Sequence, residues 1–66
     1  SAAIAVLARA HARHPHDRDI LLALATMSRD VGKPDEALAW AEKLVEIAPG
    51  DPNAHGLLEE LRAAAR

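Results

Sequence analysis

The residues with the strongest claim to chemistry are His11, His14 and His16, crowded into one short stretch. On a helix His11 and His14 share a face at i, i+3, and imidazole is a common metal ligand. A closed site needs about four ligands, and no carboxylate lies where a helix would force it toward these rings. Polar and cationic side chains at a helix C-terminus meet exposed carbonyls, so the cluster reads as a helix end, and no metal site is expected. His55 stands alone and reads as a solvated residue. Hydroxyls are confined to Ser1, Thr26 and Ser28. A Ser/His/Asp arrangement needs a strained turn and an oxyanion hole, and no Gly-rich loop or strand is present to supply them. Ser28 instead falls where a second and a third helix would touch, as a small packing residue. Asp35-Glu36 and Glu59-Glu60 invite an acid-base reading, but adjacent helical residues diverge by about a quarter turn. They read as helix-terminus and solvated charges. No catalytic residue and no cofactor is expected.

The elements that position these side chains are helices. Half the residues are apolar, sixteen of them alanine, and Trp40 is the sole aromatic. Alanine favours helix, and so thin a set of bulky groups predicts helix-on-helix contact with no large pocket. At 66 residues the chain is one small unit, near the size where a core barely offsets about 1.5 kcal/mol of entropy per ordered residue. Ten acids against eight bases, interspersed, give a net charge of -2, which argues against a nucleic-acid or acidic-membrane surface. A DNA-reading third helix fails because Asp35, Glu36, Glu42 and Glu46 outnumber Lys43. Without cysteine the chain has no disulfide, thiolate zinc site or covalent haem attachment, and the compartment stays open. The run AAIAVLA is too short to span a bilayer and has no charged flank, so neither membrane helix nor signal peptide is read.

Punctuation sets the register. Pro49 and Asp51 close the stretch ALAWAEKLVEIAPGD, and Pro15 and Asp17 stand 34 residues earlier. Ala3, Leu7 and Ala10 precede Ala37, Ala41 and Leu44 by the same interval. Self-similarity at this period marks an array of helix pairs, none able to bury its apolar face alone. A first helix over 2–14 stops at Pro15, which cannot continue a helical ladder. Asp17 caps a second over about 18–31, with Ile20, Leu24, Met27 and Val31 on one stripe and Leu21, Ala25 and Ser28 on the next. Gly32 ends it, Pro34 opens a third with Asp35 and Glu36 at its positive end, and Pro49 stops that one. Asp51 and Pro52 open a fourth, striped by Ala54, Leu57, Leu58 and Leu61. The short connections predict antiparallel neighbours.

These residues resemble the tetratricopeptide repeat, whose W-x2-L-G-x2-Y…A-x3-F…P pattern is met as Leu21-x2-Leu24-Ala25-x2-Ser28, Ala37-x3-Ala41 and Pro49. Identities depart at Leu21, Ala25, Ser28 and Ala41, mostly toward smaller groups, which implies closer helices. The resemblance implies an all-α solenoid fragment of about four antiparallel helices over 1–66: the second helix of a preceding repeat (1–14), one full repeat (17–50) and a C-terminal capping helix (51–66). The string DRDILLALA also looks similar to C-terminal repeat segments of bacterial multihaem cytochrome-like proteins, which would make the chain a structural or oligomerising tail of a larger protein.

Function in this family implies a protein or peptide partner on the inner helical face. By resemblance that face carries Asp19, Leu22, Thr26, Arg29 and Asp30 from helix two, and Asn53, Gly56 and Glu60 from helix four. Leu22 is apolar among polar neighbours, and Gly56 costs about 1 kcal/mol relative to alanine within a helix. The basic and amide constellation by which some members clamp a C-terminal carboxylate is missing, since Leu22 and Thr26 occupy matching positions. By the same resemblance Trp40 packs into the core against the next repeat, with an exposed partner anchor as the alternative. At the ends, His55, Glu59 and Arg62 make a polar cap. Helix one uses Ile4 and Ala8 toward helix two and leaves Ala3, Leu7 and Ala10 open. Helices before Ser1 are therefore expected in the parent protein, and a two-fold homodimer of the isolated chain through that face. A swap at Gly32-Lys33-Pro34 is the other route to the same burial.

Overall fold

The computed structural model describes residues 2–65. They form four helices in chain order, α1 (Ala2–Arg13), α2 (Arg18–Asp30), α3 (Pro34–Ile47) and α4 (Pro52–Ala64), with no strand among the described residues. α3 packs most extensively on α2 and next on α4, while α1 lies against α2. The product is a slab of 29 × 27 × 13 Å.

Each helix starts and stops where local chemistry dictates. The Asp17 carboxylate accepts from the Asp19 and Ile20 backbone N–H groups at 2.9 and 3.2 Å, capping α2. Asp51 does the same for α4 through the Asn53 N–H at 2.9 Å. These bonds satisfy amides that a helix start otherwise leaves unpaired. α2 ends one residue before the expected 31, because Val31 already serves as its C-cap. Gly32 follows at φ +79°, donating to the Arg29 carbonyl at 3.1 Å while Lys33 donates to the Ser28 carbonyl at 2.9 Å. That pair of bonds is a Schellman stop, and its left-handed position favours glycine. α3 ends at Ile47 rather than running up to Pro49, with the Ala48 N–H held by the Leu44 carbonyl at 2.9 Å. The turns after α1 and α3 then repeat the same connection: Asp17 N–H to the His14 carbonyl, and Asp51 N–H to the Ala48 carbonyl, both at 3.1 Å.

The core sits between α2, α3 and α4. Leu21, Ala25, Ala37, Ala41, Leu44, Ala54 and Leu61 are fully buried there, with Leu57 and Leu58 nearly so. Four of these are alanines and five are leucines, so leucines fill the core and alanines take the positions where helices meet with little room for a side chain. Of the first α2 stripe only Leu24 is buried; Ile20 and Met27 are half-buried and Val31 is exposed. The second stripe, Leu21, Ala25 and Ser28, is the one that turns wholly inward. Ser28 is the packing residue its position implies, at the cost of a buried hydroxyl with no hydrogen-bond partner.

Candidate functional site

α2 and α4 bear the same register, 34 residues apart, so the expected inner-face residues fall on equivalent positions of two helices. Arg29 joins the two: its Nη1 donates to Glu60 Oε2 at 2.7 Å across α2 and α4, and its Nε to Asp30 Oδ1 at 3.3 Å. A second network lies at the other end, where Arg18 Nε donates to Asp51 Oδ2 and its Nη1 to Asp19 Oδ1 at 3.1 Å. Asp51 thus caps α4 and holds Arg18 at once. The hydrogen bond from Arg18 pulls the Asp51 carboxyl below its ordinary value, against the opposing effect of desolvation. Both guanidiniums are held more firmly protonated than usual, Arg18 first by Asp51 and Arg29 first by Glu60.

Between the networks the face is less polar. Leu22 is half-buried and packs against the core cluster, so it belongs in part to the fold. Thr26 turns its hydroxyl back to the Leu22 and Ala23 carbonyls at 3.0 and 3.2 Å, so its donor is spent within α2. Asn53 and Gly56 are exposed. A Cβ built on Gly56 would meet nothing within 4 Å, so no close approach inside the chain demands glycine there.

The other expected surface is α1, which alone among the helices has no buried residue. Ala3 is exposed, and Leu7 and Ala10 are half-buried, as are Ile4 and Ala8. Sequence reasoning passed over Val6, which is 55% exposed. The signal was present, because Val6 stands 34 residues before Trp40. Trp40 packs, half-buried, against the core cluster and also reaches back to α1, where the His11 ring meets it edge-on with centroids 5.3 Å apart. On the α1 side it meets half-buried His11 and shares a groove with half-buried Ile4. His11 is consequently half-buried, with a buried Nδ1 that has no partner. His14 and His16 are exposed. Among the described residues no group of three or more His, Cys, Asp or Glu could hold a metal ion. His55 is exposed, but its Nε2 lies 2.6 Å from the Pro49 carbonyl, tying α4 to the turn before it.

Two surface grooves occur where none of size was expected, and both lie between α1 and α3, away from the inner face. One of about 480 Å³ is lined by His11, Pro15, His16, Lys43, Glu46 and Ile47. The other, about 280 Å³, is lined by Ile4, Glu36, Ala39, Trp40 and Lys43. Both open broadly to solvent.

The repeated register, the capped antiparallel helices and the small-residue core agree with the family comparison, in which the tetratricopeptide repeat model matches residues 1–61. The chain belongs to the tetratricopeptide repeat family. Searches of curated proteins and of solved structures returned no match. Repeats of this family generally act as protein–protein interaction modules and generally carry no catalytic activity of their own. The likeness of DRDILLALA to multihaem cytochrome-like segments finds no support in these comparisons. No helix among the described residues is long and apolar enough to cross a membrane.

Proposed function

We propose that the chain is a non-catalytic protein-binding module whose inner face, formed by α2 and α4, takes a segment of another protein. The observation that carries this reading is Leu22: an aliphatic side chain half-buried on α2, at the register position that α4 fills with a glycine the fold itself does not require. Covering such a leucine is worth up to about 1.5–3 kcal/mol when burial is complete. Affinity capture with the wild-type chain and with Leu22→Asp, each checked for helix content by circular dichroism, tests it. Partners retained only by the wild type are the expected result. Equal recovery by a folded Leu22→Asp variant removes the inner face from the site.

We infer a second contact from Val6 and the open side of α1: in isolation the chain pairs with a copy of itself across Ala3, Val6, Leu7 and Ala10. One apolar patch covering its own image is the commonest closed arrangement. The opposite end does not offer an alternative cover, because His55, Glu59 and Arg62 are exposed and polar. This contact also supports the role of a helical tail that joins a larger protein together. Sedimentation should show a dimer that Val6→Glu, at an exposed position harmless to the fold, dissociates along with Leu7→Glu. A monodisperse wild-type monomer at high concentration rules the pairing out.

A further inference from the structure

Charge on the inner face is distributed unevenly, and the unevenness indicates what that face accepts. The two networks contain four acids, Asp19, Asp30, Asp51 and Glu60, and two bases, Arg18 and Arg29. Acids therefore outnumber bases by two within these networks. Both arginines are answered inside the molecule, each by two carboxylates. A carboxylate arriving from outside would have to compete with them for a charge already neutralised. The acids are placed differently. Asp19, Asp30 and Glu60 have side chains 88%, 67% and 56% exposed, and each has one ion-pair contact, with Arg18, Arg29 and Arg29 respectively. An ionised carboxylate has about four acceptor positions, so these three retain capacity for an incoming cation.

We propose that the segment bound by the inner face is basic: an extended stretch of another protein in which lysine or arginine flanks an aliphatic residue. The aliphatic residue covers Leu22 in the space left open over Gly56, and the flanking cations reach Asp19 on one side and Asp30 with Glu60 on the other. This rests on the inner-face reading above and adds the chemistry of the partner. An acidic segment is disfavoured twice, by repulsion from the excess carboxylates and by the lack of a free cation among the described inner-face residues.

A random dodecapeptide library displayed on phage and selected on the immobilised chain provides the probe. Selected peptides, synthesised and fluorescently labelled, are then measured by anisotropy against the wild type, Gly56→Gln, Asp19→Asn and Asp30→Asn. Gly56→Gln blocks the open space at an exposed position where an added Cβ meets nothing, whereas Leu22 also packs against the core cluster. The expected result is enrichment of lysine and arginine around an aliphatic residue, and loss of binding in Gly56→Gln. Each Asp→Asn change should weaken binding about two- to fivefold at low salt, the range of an exposed ion pair, with the difference shrinking as salt is raised. Peptides that depend on Gly56 but show no basic enrichment, or that bind Asp19→Asn and Asp30→Asn as well as wild type, overturn the basic-segment proposal alone. Peptides indifferent to Gly56→Gln, or no selection at all, count against the inner face as the binding surface.

Discussion

α1 and α3 are the same helix written twice and buried to different depths. Ala3, Leu7 and Ala10 stand in register with Ala37, Ala41 and Leu44, yet the later trio is fully buried and the earlier one is exposed or half-buried. Val6 and Trp40 show the same contrast, since Trp40 has α1 to lean on and Val6 has no such neighbour among the described residues. The two following aspartates diverge as well: Asp17 spends its carboxylate on two backbone amides, while Asp51 shares its own between a cap and Arg18. A repeated pattern therefore prescribes which side chains are available for burial, and the neighbouring helices decide which are covered.

The sharpest way to break this contrast is to truncate the matched apolar positions. Leu44→Ala should cost about 2–5 kcal/mol, as for other fully buried leucines, which is enough to unfold a chain this small. Leu7→Ala, half-buried, should cost well under half of that in dilute solution. Urea denaturation followed by circular dichroism compares them, and equal losses would mean that α1 is as firmly packed as α3.

The caps give the next largest effect. Asp17→Ala should destabilise by about 1 kcal/mol through loss of its two amide bonds. Thermal melting should then show α2 helicity falling before the rest of the chain. An unchanged melting curve would show that Pro15 and the turn bonds alone set the start of α2.

A smaller change of opposite sign is expected at Gly56, the glycine inside α4. Gly56→Ala should stabilise by about 0.5–1 kcal/mol, since nothing obstructs a Cβ there. A loss of stability on urea titration would show that α4 tolerates no side chain on its inner face.

The smallest effect separates the two aspartates by pH. The folded Asp51 carboxyl is held below its ordinary value of 3.8, so the unfolded chain takes up that proton first as pH falls. The stabilisation from Asp51 is complete above its ordinary value and is lost as pH drops through the lower, folded-state value. Asp51→Asn keeps an efficient cap and removes the ionisation. Its melting temperature should therefore decline less steeply than that of wild type below pH 3.8. Parallel declines would mean that the Arg18 contact contributes nothing in solution.

Much of the fold was legible because its signals are local. Asp17, Gly32, Pro34, Asp51 and Pro52 act through their own backbone geometry or through amides two or three residues away, so helix count and order followed from their spacing. The inner face was legible only as a set of positions. The Arg29–Glu60 pair spans 31 residues of sequence and the Arg18–Asp51 pair 33, and each depends on how far α4 stands from α2. No periodicity encodes that distance. The direction of Trp40 was hidden for a related reason, as one indole on a helix flank fits toward either neighbour until the gaps on both sides are known. His55 is exposed, as read, but its bond to the Pro49 carbonyl was hidden because it exists only once the turn before α4 has closed.

The sequence by itself determined four helices, their order, the punctuation near which they stop and the stripes they offer for burial, since these follow from backbone chemistry acting over a few residues. The tertiary structure alone decided that Arg18 and Arg29 are neutralised from within, each by two carboxylates, and that Trp40 leans on α1. Side-chain charges and rings act through space over a few ångströms, and only the packing of the helices brings distant residues within that reach.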